Sequence, residues 1–420
     1  MKTKLMIDGR RFCLNGVPVY QELPDCPPQY HGLLMNARFI QGVFDDRENP
    51  RQFDRFGLTF DAEENTDALI AALPQWYESG LRAITVGFQG GGPCFTMENT
   101  GIANSPFSPD GGRIDPAYLA RMERIIAAAD EIGMVVIVSL FYGAQCRFFR
   151  DDAAIRRAVE TACAWLKALS PTNVILEIAN EFEFFVFDDY PILQNAESMA
   201  ALITFAKAAS GGLPVGCSGS GGYFSQVVAE ASDVILVHGN SQSRQQFAAL
   251  LKKALAVRPA RPVLCNEDSP SLMAMEVALR HGVSWGYYNN LTKQEPPTRW
   301  GILPGMDACF AARMRERLGI PGGDVPEYAF TGLAPHETVQ GKRWIGIAAL
   351  HPERIDRVEF TRNGSLYDIC YLDPFTVHFM ENWRQGAVED CRPGEVWRAD
   401  IFLTDGSVVS LEERIPEDVR

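Results

Sequence analysis

Along roughly the first 290 residues, this chain alternates between two hydrophobic patterns. Continuous apolar runs such as Met134-Val-Val-Ile-Val-Ser-Leu140 are separated by segments of helical period. A strand apolar at every position is buried on both faces, so such strands belong to a parallel sheet covered by crossover helices. The runs fall at residues 34–44, 83–88, 135–142, 174–181, 215–218, 234–239, 263–267 and 284–290. The helical segments fall at 65–79, 116–132, 153–169, 197–209, 223–231, 245–256 and 272–281. Asp115 before Pro116 has the form of an N-cap with proline at the first helical position, and Gly80, Gly133 and Gly282 stand where helices close. Eight strands and seven intervening helices predict an α/β fold of the (β/α)8 TIM barrel type. An open doubly wound sheet is the alternative. Neither a GxGxxG nor a P-loop pattern follows the first strand to support it.

The flanks differ in character. Two short extended runs around Asn15-Gly16, within residues 7–20, predict a small hairpin. Beyond residue 325 come short strand-like runs at 344–350, 355–362, 366–372, 376–379, 396–402 and 407–411. Asn363-Gly364 and Asp405-Gly406 supply turns between them. The expected organisation is an N-terminal β hairpin (1–31) packing on the barrel, a catalytic (β/α)8 barrel (32–324) and a small β-rich domain (325–420), an antiparallel β-sandwich.

Composition bears on partners. The net charge of −14 disfavours nucleic acid and anionic membrane. No apolar run approaches the roughly 18 residues of a membrane span. The N-terminal Met-Lys-Thr-Lys-Leu-Met-Ile-Asp-Gly lacks the apolar stretch of a signal peptide, which points to the cytoplasm. The ten cysteines show no CxxC pair, which fits buried free thiols in a reducing compartment.

Two strand ends carry the chemistry. Asn173-Val-Ile-Leu-Glu-Ile-Ala-Asn-Glu181 ends the fourth strand in an Asn-Glu pair, and Pro262-Val-Leu-Cys-Asn-Glu267 ends the seventh in a glutamate. Strand alternation puts Glu177, Ala179 and Glu181 on one face and Ile178 and Asn180 on the other; Val263, Cys265 and Glu267 likewise share a face. Strands four and seven of a barrel lie across its mouth, where active sites sit. Two glutamates there could stand at the roughly 5–5.5 Å that a retaining glycosidase requires. One must stay protonated to release the leaving group, and the other must be ionised to attack. Glu181, following apolar residues and preceding Phe182, Phe184 and Phe185, is the expected acid; Glu267 is the expected nucleophile.

Asn180 is placed to bind a sugar hydroxyl. His238, Tyr142, Gln145, Gln89, Trp285 and Tyr288 sit at strand ends as further substrate-binding candidates, each weighed against a structural role. The loop at 90–101 could wall the cleft. Mid-strand Glu177 is expected to pair with an arginine or fix the interior. Glu183 and Asp268 are expected to be loop charges. The chemistry needs neither cofactor nor metal.

These residues resemble clan A of the glycoside hydrolases, the retaining (β/α)8 glycosidases, over roughly residues 32–300. Leu176-Glu-Ile-Ala-Asn-Glu181 is similar to the fourth-strand acid/base motif of its cellulase-like families. Phe107-Ser-Pro-Asp-Gly-Gly-Arg-Ile-Asp-Pro-Ala-Tyr118 and Phe12-Cys-Leu-Asn-Gly-Val-Pro18 also look like this superfamily. The resemblance implies Glu181 as acid/base, Asn180 as its substrate-binding neighbour and Glu267 as nucleophile, with a carbohydrate substrate. The chain departs from the clan at Phe182, where proline is usual, at Asn266, where Thr or Ser is usual, and at His238-Gly-Asn240, where a tyrosine is usual. The other readings are a metal-dependent sugar isomerase or lyase, using Glu177, Glu181, His238 and Glu267, and an inactive carbohydrate-binding protein. Sugar, linkage and oligomeric state stay open.

Overall fold

The computed structural model describes residues 1–97, 101–335 and 337–417. Eight strands run β1 (Asn36–Arg38), β2 (Ala83–Gly87), β3 (Val135–Phe141), β4 (Val174–Ala179), β5 (Val215–Gly216), β6 (Ile235–His238), β7 (Val263–Glu267) and β8 (Gly286–Tyr287). Six form one parallel sheet in the order β8–β1–β2–β3–β4–β5, and β6 and β7 pair in parallel as a second ladder. A parallel bridge between Leu264 and Ser284 links β7 to the approach of β8. On the other side the Asp233 amide donates to the Val215 carbonyl at 2.8 Å. Several strands are shorter than their apolar runs: β1 covers three residues of the 34–44 run, because the chain turns at Ile40.

Among the described residues the helices longer than one turn are α1 (Ala62–Glu78), α2 (Pro116–Ile132), α3 (Asp152–Leu169), α4 (Ala196–Ala209), α5 (Gln226–Ala231), α6 (Arg244–Ala256), α7 (Leu272–Arg280) and α8 (Met306–Leu318). Asp115 caps α2 by accepting from the Ala117 amide at 2.8 Å, and Gly133 ends it in the left-handed conformation. Helix α8 is missing from the sequence reading. Its charges interrupt the apolar stripe, yet Arg313 is buried, held by Glu276 at 3.0 Å and Glu353 at 2.8 Å.

At the N-terminus the expected hairpin is a three-strand meander, Leu5–Asp8, Arg11–Leu14 and Val17–Pro18, with one turn at Gly9 and a second at Asn15-Gly16. The Leu5 amide bonds the Thr172 carbonyl just before β4, and Phe12 is buried in the main core. After residue 325, a three-stranded antiparallel sheet (Tyr328–Thr331, Gly346–Ala349, Phe375–Thr376) and a four-stranded one (Ser365–Cys370, Ile355–Arg362, Val396–Leu403, Val408–Arg414) enclose a separate apolar core around Ile347, Phe360 and Trp397. The strand Tyr328–Thr331 is half-buried at every position, so it has no alternation to read. All ten cysteines are unpaired. Among the described residues no helix is long and apolar enough to cross a membrane.

Outside β8, the Tyr287 ring stacks on Phe310 of α8 at 4.2 Å, and Trp76 of α1 packs beside both. In this apolar shell lies a fully buried ion pair, Lys293–Asp307 at 2.6 Å. The Lys293 ammonium also donates to the carbonyls of Arg299 and Gly301, each at 2.8 Å. Removing one partner strands the other charge in a dry site, which typically costs about 3–5 kcal/mol. Lys293→Met is expected to lower unfolding free energy by about that amount in urea titrations, with a smaller loss when Asp307→Leu is added.

Candidate functional site

The inner face of the parallel sheet is polar beneath the strand ends. Gly87, Ser139, Glu177 and Gly216 pair in register across β2 to β5, so they share a face. Arg38 of β1 reaches across this interior and is 1% exposed. Its Nε lies 2.7 Å from Glu267 Oε2, its Nη2 donates to Asn180 Oδ1 at 2.6 Å, and its Nη1 is 3.9 Å from Glu177 Oε2. Glu177 Oε1 also accepts from Ser218 Oγ at 2.7 Å and Asn266 Nδ2 at 2.9 Å. One guanidinium thus joins the ends of strands one, four and seven.

Two local backbone features aim the carboxylates. Glu181 has φ of +52°, a left-handed conformation that a side chain rarely adopts, and the turn closes when Phe184 N–H donates to the Glu181 carbonyl at 3.0 Å. The β6–β7 register slips between Cys265 and Glu267, a bulge that lets Asn266 and Glu267 both face the interior. Strict alternation therefore fails at both strand ends. Asn180, expected on the helix-facing side, meets Arg38, and Asn266 meets Glu177.

His238 Nδ1 is 3.1 Å from Glu181 Oε1 and 3.8 Å from Glu267 Oε2. One donor atom from each of Glu181, His238 and Glu267 lies within 4.8 Å of the other two. Asn240 Nδ2 donates to Glu267 Oε1 at 3.0 Å. The side chains of Glu181 and Glu267 are 20% and 10% exposed, so both carboxylates keep some contact with solvent.

Burial pushes the Glu181 carboxyl up, but the His238 hydrogen bond and charge, with Arg38 beyond, hold it below its ordinary value. For Glu267 burial outweighs Arg38 and His238, and Glu181 and Glu177 add to the upward push. These directions are the reverse of a resting acid at Glu181 and a resting base at Glu267. The groups titrate as a cluster, so its protons belong to the whole set. Burial pulls His238 down, but Glu267 and Glu181 overcome it and keep the imidazole charged above its usual range.

The other expected residues divide. Tyr288 lies inside, its ring 5.8 Å from the Arg38 guanidinium and its hydroxyl donating to Gln294 Oε1 at 2.6 Å. Tyr142 is near both carboxylates, and burial together with their charge pushes its phenol up. Trp285 is not a sugar platform: it is fully buried against Tyr287 and Phe310 on the helix side, where its indole N–H donates to Asp268 at 2.7 Å. Gln89 and Gln145 are not at the mouth either. Both are buried: Gln89 is spent on the Tyr142 amide and Ser105, and Gln145 accepts from the Asn104 amide.

Asp268, expected as a loop charge, is wholly buried, whereas Glu183 is a half-exposed loop residue accepting from Ser220. Residues 98–100 of the expected cleft wall lie outside the described residues. Beside them Cys94 and Phe95 donate their amides to Glu295 Oε1, each at 2.8 Å. Arg38, Asn240 and Asn266 were given no role from the sequence. A lone arginine inside the first apolar run was the available signal for Arg38; the asparagines stood out only as departures from the clan pattern.

No family profile matches the sequence. No functionally curated protein matches it either. Solved structures match in three dimensions. A glycoside hydrolase family 5 protein from Bacteroides vulgatus ATCC 8482 superposes with a TM-score of 0.50 at 12% identity, over 99% of this chain and 91% of that one. Another structure titled a glycoside hydrolase gives 0.50 at 12% identity over 100% and 95%. A second Bacteroides vulgatus structure, named as a candidate glycoside hydrolase, gives 0.50 at 13% over 95% and 82%. At these identities the likeness is one of fold: this chain has the α/β architecture that glycoside hydrolases use.

The upward push on His238 makes stability depend on pH. A histidine whose folded pKa is raised contributes stability that is fully present below its unfolded value near 6.5 and is lost as pH rises through the folded value. The stability gap between wild type and His238→Asn in urea titrations is expected to be larger at about pH 6 than at about pH 9.

Proposed function

We propose that this protein is a retaining O-glycoside hydrolase acting on β-linked glycosides or oligosaccharides. In this reading the eight parallel strands close into a (β/α)8 barrel through the Leu264–Ser284 bridge and the Asp233–Val215 bond. The antiparallel sheets after residue 325 form a sandwich domain. The observation that carries the reading is the approach of the two carboxylates: oxygens of Glu181 and Glu267 lie within 4.8 Å, at the ends of two parallel strands. A pair this close supports direct attack and leaves too little room for the water that an inverting enzyme holds between carboxylates roughly 6.5–9.5 Å apart.

Glu267 suits attack because Arg38 and Asn240 each hold one of its oxygens, which orients the carboxylate and favours its ionised form when sugar arrives. Glu181 draws on the proton it shares with His238, delivers it to the leaving oxygen, and then takes one from water to release the sugar from the Glu267 ester. Asn180, fixed by Arg38, faces the same space and offers its amide N–H to a sugar hydroxyl.

The test is hydrolysis of a panel of aryl β-glycosides. Glu267→Gly is expected to abolish turnover and to regain it with azide, giving an α-glycosyl azide. Glu181→Ala is expected to lose about 10²–10⁴-fold on poor leaving groups and far less on dinitrophenyl glycosides, which need no proton. Full activity in Glu267→Gly would overturn the mechanism.

The proximity of Glu181, His238 and Glu267 also favours a second reading, a divalent cation held by these three. Arg38 weighs against it, because its permanent charge already sits 2.7 Å from the Glu267 oxygen that would face the ion. Loss of activity on chelation, restored by a metal, would reverse that weighting.

A further inference from the structure

A segment of the C-terminal sheets reaches back to the strand ends that carry His238 and Glu267. Asn382 donates from Nδ2 to the Gly239 carbonyl at 3.2 Å and to Asp268 Oδ1 at 3.1 Å, and its Oδ1 accepts the Ser241 amide at 2.8 Å. One side chain therefore ties the turn after β6 to the residue after Glu267. Its neighbours reinforce the tie: Ser241 Oγ donates to Glu381 at 2.6 Å, and the Trp383 indole donates to both. On the other side of the strand Phe375–Thr376, Asp373 accepts Ser271 Oγ at 2.8 Å and the Met273 amide at 2.9 Å. The segment from Asp268 to Met273 is held at both ends by residues a hundred or more positions away.

Asp268 makes the tie consequential. It is buried directly behind Glu267, and its two oxygens collect Trp285 Nε1 at 2.7 Å, Ser269 Oγ at 2.9 Å and Asn382 Nδ2. Burial pushes its carboxyl to about 7, against the pull of the Trp285 and Ser269 hydrogen bonds and of His238, with Glu267 adding to the push. Among the described residues, Asn382 is the one side chain from beyond the parallel strands and their helices that donates to this carboxylate. Gly239 passes so close to Asp268 that a side chain there would strike its carboxylate, so the two strand ends pack directly against each other.

We infer that Asn382 is a positioning residue for the glycosidase proposed above, acting through Asp268, Gly239 and Ser241 to hold Glu267 against Arg38 and His238. The inference rests on that reading. The C-terminal sheets then complete the reaction centre and are no detachable binding module.

The full-length protein would be assayed on 2,4-dinitrophenyl glycosides, whose departure needs no acid, so that kcat/KM reports attack by Glu267. Asn382→Ala is expected to lose about tenfold or more in kcat/KM, mostly in kcat, with little change in KM. Asn382→Asp, nearly identical in shape, keeps the acceptor for Ser241 but sets a carboxylate against Asp268. It is expected to be worse than Asn382→Ala at about pH 9, where Asp268 is ionised, and to recover towards about pH 6, where the two carboxyls can share a proton, an order that lost packing alone would not produce. Hydrogen exchange at 239–241 and 266–273 should quicken in Asn382→Ala while the remainder of the parallel sheet stays protected. An active wild type with both variants within twofold of it would overturn the inference alone. A wild type inactive on every glycoside would overturn the glycosidase reading and the inference with it.

Discussion

The site is organised by a buried cation. A guanidinium does not give up its proton, so Arg38 carries its charge into the interior and must be surrounded by acceptors, or the desolvation cost of several kcal/mol goes uncompensated. The acceptors come from different parts of the chain: Glu177 and Asn180 from β4 and the turn beyond it, Glu267 from β7. Since Arg38 stands on β1, its Nε and Nη2 donors fix distances across the sheet interior that backbone hydrogen bonds between neighbouring strands do not set. The remaining support follows from those acceptors. Ser218 and Asn266 hold Glu177, Asn240 holds the free oxygen of Glu267, and His238 bridges to Glu181. Glu181 and Glu267 shift in opposite directions because the His238 hydrogen bond and charge, with Arg38, outweigh burial at the first, whereas burial outweighs Arg38 and His238 at the second.

Repeating patterns were legible in the sequence, and deviations from them were not. Continuous apolar runs and helical stripes located all eight parallel strands and seven helices, since each reflects many residues buried together. Helix α8 escaped because Arg313 is buried by charge pairing, which looks like exposure in a hydrophobicity pattern. The two glutamates stood out as acids ending apolar strands. Their surroundings did not: alternation assumes an unbroken pleat, and a left-handed residue at Glu181 and a bulge before Glu267 each turn an extra side chain inward. Asn180 and Asn266 became visible as interior residues only through those local breaks. Trp285 shows the converse error. An aromatic at a strand end invites a stacking role, yet its parity with Tyr287 commits it to the helix side.

Long-range hydrogen bonds from a different part of the chain are the least legible feature. Nothing local marks Asn382 or Asp373 as neighbours of the seventh strand, and each lies in an irregular segment among short strands. Burial separates the two apolar cores, while polar contacts join the regions that hold them. The boundary between the regions is therefore sharp in packing and open in hydrogen bonding.

The left-handed backbone at Glu181 sets a condition on how this chain can change. Glycine would relieve that conformation at no steric cost, whereas a carboxylate-bearing residue holds it at a cost of about 1–3 kcal/mol. Selection for a more robust fold and selection for the reactive side chain pull this one position in opposite directions. A lineage freed from the need for turnover would be expected to lose its acid first at this position, leaving the rest of the architecture in place.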